Sequence, residues 1–336
     1  MSNNKDILGN KGLINLGNTC YMNSALQCLS HLIIFHPNNK DFFNEYKRSN
    51  ENSLFHEWFK FQKDIWINNN SNKINPINLL KRFQKLCIEN NLYFNNFLQN
   101  DIDEFLYLFL DLLHKGISRK VEMSFNKEIL DEADRINLKS NETWVKFYEN
   151  DYSYIIENFY SQLLGITGCT NCGYYTTNHD PIQVISLEIN NNFKSIDDCL
   201  NNYVKKNILD DNNLWKCDKC KEYIRPFKQT KLWKTSDILF ILLKRYNHRN
   251  KIDKYIEYPL TLDMNNYNIN YNNKNNKYSL NSIAVHSGGL NSGHYYAICK
   301  NYLDNKWREY NDTQVSIVEE DKLMKYSPYL LVYRRL

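Results

Sequence analysis

Gly12-Leu-Ile-Asn15-Leu-Gly-Asn-Thr-Cys20-Tyr-Met-Asn-Ser24 is the stretch on which the reading of this chain turns. From Cys20 onward the apolar positions Met22, Leu26, Leu29 and Ile33 recur at helical spacing, with Asn18 and Thr19 just upstream as cap candidates. Cys20 is therefore expected at or near a helix N-terminus, where the positive end of the helix dipole favours a thiolate. Far downstream stands His286-Ser-Gly-Gly-Leu-Asn-Ser-Gly293-His294-Tyr-Tyr-Ala297, followed by Trp307-Arg-Glu-Tyr-Asn311-Asp312. A cysteine opening an apolar helix, a distant histidine beside glycine, and an amide or carboxylate just beyond it are the parts a thiol hydrolase needs. Such parts normally lie far apart in sequence and meet only in the fold.

Each part also has a plainer reading. A cysteine at a helix start is often only a small buried side chain. As a nucleophile, Cys20 would need its pKa brought down from about 8.5, by the helix N-terminus and an imidazolium partner. His294 could be a surface histidine at a strand start, although Gly293 leaves room for close backbone approach. Asn311 and Asp312 form a good turn pair, and either could instead hold the imidazole N–H and fix its tautomer. Asn15 suits a turn before a helix. Cys28, Cys87, Cys199 and Cys299 lack such context and read as structural.

Outward from these blocks the chain changes texture. Residues 40 to 95 hold aromatic-rich helical patterns, such as Leu54 to Trp66 and Ile77 to Ile88. Ile102, Phe105, Leu106, Phe109, Leu112 and Leu113 trace one face of a further helix that Gly116 stops. Residues 117 to 150 read as charged, helical and exposed. After about residue 155, the segments Ile182–Ile189, Ile238–Tyr246, Leu280–His286, His294–Lys300 and Tyr329–Tyr333 read as strands. Helices first and antiparallel strands after predict an α+β fold.

Cys169-Thr-Asn-Cys172-Gly and Cys217-Asp-Lys-Cys220 form two knuckles. Four thiolates at this spacing suit one structural, tetrahedral zinc with every position filled by protein. The long separation between the pairs suits two β-ribbons pinned at their tips. His179 is a lesser alternative ligand.

The remaining composition sets bounds. At 336 residues the chain can bury a substantial core, and nine cysteines without a secretory signal read as metal ligands plus free thiols. Neither a membrane-length apolar run nor an apolar leader is present, so no membrane partner is expected. The net charge is +4, with Lys and Arg scattered, which argues against a nucleic-acid ligand. Asparagine is unusually common and concentrates in stretches such as 68–70 and 265–277, read as polar surface loops.

The blocks around Cys20 and His294 resemble the Cys box and His box of the ubiquitin-specific protease family, the papain-like deubiquitinases. The resemblance runs from Gly12 to the closing Tyr329-Leu-Leu-Val-Tyr-Arg334 and leaves little room for further domains. It implies a single catalytic domain over residues 1–336, with a helical thumb (12–155), mostly fingers (156–235) and a β-rich palm (236–336). It further implies Cys20 as nucleophile, His294 as base, and Asn311, with Asp312 as the other candidate, as orienter. Asn15 would be an oxyanion donor, which can contribute about 3 kcal/mol to a transition state.

The segment Gln99-Asn-Asp101-Ile-Asp-Glu104-Phe105 is similar to the family's acidic box, whose carboxylates hold the basic tail of ubiquitin. The resemblance therefore implies that Gln99, Asp101, Glu104 and Tyr295 contact substrate; Asp-x-x-Glu at a helix start is equally a capping pair. The two Cys pairs would tip zinc-bound fingers. The expected reaction is hydrolysis after the C-terminal glycine of ubiquitin, mainly at isopeptide bonds to lysine, through a thioester. Ubiquitin and ubiquitinated proteins are the expected partners, of a monomer in the cytoplasm or nucleus. A protease for another ubiquitin-like modifier, an inactive ubiquitin-binding relative, and a zinc-ribbon binder are the rival readings.

Overall fold

A computed structural model describes residues 8–68, 71–92, 94, 100–125, 127–246, 251–268, 275–289 and 293–336. Helix α1, Cys20–Ser30, is buried along its whole length. That is why its apolar residues do not stop at one stripe. Its polar side chains are bonded within the protein: Ser24 Oγ donates to the Cys20 carbonyl at 2.9 Å, and Gln27 Nε2 to the Lys11 carbonyl at 2.8 Å.

Helix α5 (Ile102–Lys115) packs on α1, α3 (Leu54–Trp66) bonds to Ser30 at its end through Gln62 and Trp66, and α2 (Lys40–Arg48) and α4 (Ile77–Glu89) pack in turn on α3, all within one core. Asn39 and Ser53 cap α2 and α3 through side-chain oxygens that accept backbone N–H groups. Helix α6 (Glu132–Tyr148) follows, capped by Asp131, and then a short α7 (Tyr154–Phe159). The expectation of helix over 117–150 is therefore too generous. Apart from residue 126, which lies outside the described residues, the stretch up to 131 is extended or irregular, and Arg119 pairs with Tyr152 in an isolated bridge. Charge content alone carries no helical period, and the Asp131 cap starts the helix late.

Seven strands of an eight-stranded sheet run in the order Gln314–Val318, Trp307–Asn311, Gly293–Lys300, Lys277–Gly288, Pro328–Arg335, Ile238–Lys244, Val184–Glu188, and Thr261–Asp263 pairs off this path with Lys277–Gly288. All neighbours are antiparallel except Ile238–Lys244 and Val184–Glu188. The near-continuous apolar run Ile238 to Leu243 follows from burial on both faces. Phe240 and Leu242 join the core that contains α1, while Leu239, Ile241 and Leu243 join a second core, to which Ile196, Cys199 and Leu200 of α8 (Ile196–Tyr203) belong. Small Ala284, Ala297 and Cys299 lie on the face beneath α1 and let the helix approach the sheet closely.

A four-stranded sheet, in the order Tyr175–Ile182, Ser161–Cys169, Pro226–Lys234, Asn207–Ile208, projects away with a separate ribbon of Trp215–Lys216 and Tyr223–Ile224. The segment read as one strand, Ile182–Ile189, is divided. At Gln183 the chain leaves the projecting sheet and enters the large one, and Gln183 Nε2 donates to Tyr160 Oη at 3.0 Å. The architecture is α+β, as the order of patterns predicts. Among the described residues no helix is long and apolar enough to cross a membrane.

Candidate active site

Cys20 is the first residue of α1 and is only 4 % exposed. The turn before it is built by its own side chains: Leu16 N–H donates to Thr19 Oγ1 at 2.9 Å, and Thr19 N–H and Oγ1–H both donate to Asn15 Oδ1 at 3.2 Å. His294 is the second residue of the strand Gly293–Lys300, which lies beneath α1, and the backbone N–H of Tyr295 reaches the Cys20 sulfur. The opposite ends of the chain are thus brought together by one helix crossing one strand.

The turn Asn311–Asp312 completes the group. Its neighbours hold it closely: Leu13 N–H donates to the Asp312 carbonyl at 2.8 Å, and a Cβ on Gly12 would strike the Thr313 backbone. Glycine at position 12 is therefore a space requirement. Asp312 has φ +49, a left-handed conformation that aspartate tolerates better than most residues.

The two residues of this turn divide their contacts. His294 Nε2 lies 2.7 Å from Asn311 Oδ1. An amide oxygen can only accept, so Nε2 carries the proton and Nδ1 is left as the basic nitrogen. Asp312 is 2.9 Å from Asn15 Nδ2 through one oxygen and 2.8 Å from Asn23 Nδ2 through the other. Asn15 keeps a second amide hydrogen for a further acceptor.

The Cys20 thiol is not the lowered one expected of a helix N-terminus. Burial pushes its pKa up, the nearby Asp312 charge adds to this, and the backbone N–H groups of Tyr295, Tyr21 and Cys20 only partly oppose them. A site this dry favours the neutral thiol at rest.

Gly293 is explained by a neighbour. A Cβ there would fall on the imidazole of His286. His286 accepts from or donates to Tyr246 Oη and packs at edge-on or tilted angles among Tyr246, Tyr295 and Tyr329, with ring centroids 4.5 Å apart for His286 and Tyr295. Burial, followed by the charges of Lys251 and His294, holds its pKa down to about 4. It is a neutral packing group next to His294.

Across the cleft, Asp101 occupies the N-cap position of α5 but its side chain makes no capping bond. Its Oδ1 instead accepts from Tyr295 Oη at 3.4 Å, while Tyr295 itself is 5 % exposed. Glu104 is exposed and has no ion pair or hydrogen bond to any described residue. Gln99 lies outside the described residues. Sequence reasoning passed over Asp103: its Oδ1 is buried without a partner among the described residues, and burial, then Asp101, raises its pKa. With Glu104, Tyr107, Leu108, Val184 and Ser186 it lines a hollow of about 400 Å³ between α5 and the large sheet. The signal was a third acidic residue, at 103, between the two acidic positions 101 and 104.

At the tip of the projecting sheet the sulfurs of Cys169, Cys172, Cys217 and Cys220 all lie within 4.8 Å of one another. Cys169 and Cys220 sulfurs are 3.9 Å apart and those of Cys172 and Cys217 3.7 Å, far beyond a disulfide. A tetrahedron with metal–sulfur bonds of about 2.3 Å has edges of roughly 3.8 Å, so the donor set fits one ion. The two knuckles repeat each other: Gly173 and Lys221 both have positive φ and donate to the carbonyls of Cys169 and Cys217 at 3.1 and 2.8 Å. Sulfur-directed N–H groups of Asn171, Cys172 and Cys220, each at 3.4 Å, would offset thiolate charge. His179 is not part of this cluster.

Comparison with known proteins agrees with this architecture. A family model described as ubiquitin carboxyl-terminal hydrolase matches residues 11–333. The chain is 30 % identical over 339 residues to ubiquitin carboxyl-terminal hydrolase Usp2 of Drosophila melanogaster, covering 96 % of this chain and 34 % of that protein. It is 30 % identical over 342 residues to ubiquitin carboxyl-terminal hydrolase 2 of Gallus gallus, covering 98 % and 94 % respectively. Among solved structures it is similar to the SAGA Ubp8/Sgf11/Sus1/Sgf73 DUB module bound to ubiquitin aldehyde, with TM-score 0.76, 28 % identity, and coverage of 98 % of this chain and 70 % of that one. The chain spans a third of the Drosophila relative, at 34 %, and little over half of the Bos taurus one, at 56 %.

Proposed function

The chain belongs to the ubiquitin carboxyl-terminal hydrolase family, and from that premise we propose that it is a cysteine-type deubiquitinase. Its reaction is hydrolysis of the bond after the C-terminal glycine of ubiquitin, mainly isopeptide bonds to lysine. The observation that carries this reading is the convergence of Cys20, the His294–Asn311 pair and the Asn15–Asp312 pair at one helix–strand crossing.

In this reading Cys20 Sγ gives its proton to Nδ1 of His294 as it attacks the glycine carbonyl. Asn311 holds the imidazole through Nε2 and accepts from the imidazolium. The free N–H of Asn15 faces the developing oxyanion, a donor of a kind whose removal costs ~10²–10³ in rate. His294 then protonates the leaving amine, a thioester forms, and the base activates water to release it.

Asp101 and Glu104, exposed at the head of α5, take the arginines of the ubiquitin tail. Gln99 keeps the substrate contact that the family resemblance implies, and Tyr295 holds Asp101 in place. The four cysteines hold one structural zinc, which would tie the two knuckles together and leave no position open for chemistry. The protein acts as a monomer on ubiquitinated proteins of the cytoplasm or nucleus, and neither nucleic acid nor membrane takes part.

The experiment is hydrolysis of C-terminal amides of ubiquitin and of several ubiquitin-like modifiers, by wild type and Cys20→Ala. Cleavage of ubiquitin by wild type only is the expected result. Cleavage confined to another modifier would replace ubiquitin as substrate, and equal cleavage by Cys20→Ala would overturn the nucleophile.

A further inference from the structure

We propose that Asn23 is a positioning residue for the oxyanion donor, acting through Asp312 on Asn15; the inference rests on the hydrolase reading above. Asn23 lies one turn past Cys20 on α1 and is 3 % exposed. Its backbone N–H is fixed on the Thr19 carbonyl at 2.9 Å, and its Nδ2 donates to Asp312 Oδ1 at 2.8 Å. Asn15 Nδ2 donates to the other oxygen at 2.9 Å. The carboxylate is therefore held at both ends by two amides that flank the nucleophile in sequence.

The two anchors differ in rigidity. Asn15 belongs to a half-buried turn, whereas Asn23 projects from a helix buried along its whole length. The terminal torsion of an aspartate is soft, and a carboxylate with a single partner can swing about it. With Asn23 on Oδ1 it presents Oδ2 to Asn15 in one orientation. Asn15 is then held at three points, by Asp312 on Nδ2 and by Thr19 N–H and Oγ1–H on Oδ1. Its amide plane is set, and with it the direction of the second Nδ2 hydrogen. A donor stabilises a transition state most when it need not reorient as charge develops. Asn23 supplies that order without touching substrate.

The dependence through Asn15 gives the test. Wild type, Asn15→Ala, Asn23→Ala, Asn23→Ser and the double variant Asn15→Ala/Asn23→Ala are compared in hydrolysis of a ubiquitin C-terminal amide. Asn23→Ala lowers kcat about tenfold with KM nearly unchanged, against roughly a hundredfold for Asn15→Ala. Because Asn23 works only through Asn15, the double variant falls within about twofold of Asn15→Ala alone. Additive losses, or a loss in KM only, would overturn the proposal. Asn23→Ser keeps a donor and recovers part of kcat. Alkylation of Cys20 by iodoacetamide forms no oxyanion, so it stays at the wild-type rate in Asn23→Ala; equal slowing of both reactions would mean general distortion and would overturn it as well.

A second reading does not depend on hydrolysis. The side-chain amide signals of Asn15, identified by their loss in Asn15→Ala, shift or broaden in nitrogen-15 spectra of Asn23→Ala. Unchanged signals would overturn the positioning role. Wild type without hydrolysis, but with this shift, would overturn the activity and leave the positioning relation standing.

Discussion

Asn15 and Asp312 stand 297 positions apart in the chain and 2.9 Å apart in the fold, amide nitrogen to carboxylate oxygen. That bond joins the turn before Cys20 to the turn that carries Asn311, the partner of His294. It gives Asp312 a contact set distinct from that of Asn311, whose side chain bonds His294 among the described residues. Of the two neighbours, Asn311 is the one whose side chain lies within hydrogen-bond distance of the His294 ring, and we propose it as the orienter.

The division predicts different costs. Asp312→Ala leaves the amides of Asn15 and Asn23 without their acceptor, each worth about 1–3 kcal/mol when buried, so it lowers both stability and kcat. Asn311→Ala loses one bond at a half-buried site and lowers kcat with less than about 1 kcal/mol of stability. Denaturant titration beside steady-state kinetics checks the ranking. Equal stability losses would show that the Asp312 bonds do not bear on folding.

Asp101 and Glu104 make no capping bonds among the described residues, so replacing their charge spares the helix. The double variant Asp101→Asn/Glu104→Gln is expected to keep the wild-type melting temperature within about 2 °C, a surface-type change. It is expected to lose at least about tenfold in kcat/KM toward ubiquitin substrates. The wild-type rate is also expected to fall with salt more steeply than the variant's, since exposed charge pairs are screened. Matching salt slopes and unchanged cleavage would leave these carboxylates without a role in substrate recognition.

How much of this was legible varied with the kind of signal. The helices Leu54–Trp66 and α5 follow from apolar period and end residues, and α1 from its spacing after Cys20. The α+β class followed from the order of those patterns. The Cys-x-x-Cys pairs named the four sulfurs that the fold gathers. What could not be read were pairings between distant segments. Nothing local to Asn23 points to Asp312, and nothing in Gly293 points to His286. The raised Cys20 pKa was misjudged for the same reason, since burial and the Asp312 charge come from parts of the chain that a helix-terminus argument does not see.

His179 offers a pH signature of the fold. It is 3 % exposed, neither ring nitrogen has a described partner, and burial followed by the Lys139 charge lowers its pKa to about 4. The unfolded chain takes up a proton near the ordinary value of about 6.5, and the folded chain only near 4. Stability from this group is therefore full above the unfolded pKa and is lost as pH falls through that window. His179→Phe is expected to flatten the fall in stability between those pH values, without loss at neutral pH. Parallel curves for the two proteins would contradict it.

The four-cysteine cluster predicts one zinc per chain by elemental analysis. Cys172→Ser or a strong chelator should lower the melting temperature by several degrees or more, because metal binding there is folding energy. The proposed catalytic residues lie in another part of the fold, so kcat measured below the melting range should change less than about threefold. A protein that purifies without zinc and melts at the same temperature would contradict the metal site.

The central claim is that Cys20 is the nucleophile toward the C-terminus of ubiquitin, and one measurement addresses it directly. The protein is incubated with ubiquitin carrying a thiol-reactive group in place of the C-terminal carboxylate, and the product is mapped by peptide mass spectrometry. The account predicts a single covalent adduct on Cys20, abolished by Cys20→Ala, although nine cysteines are present. No adduct, or an adduct on any other cysteine, would contradict it.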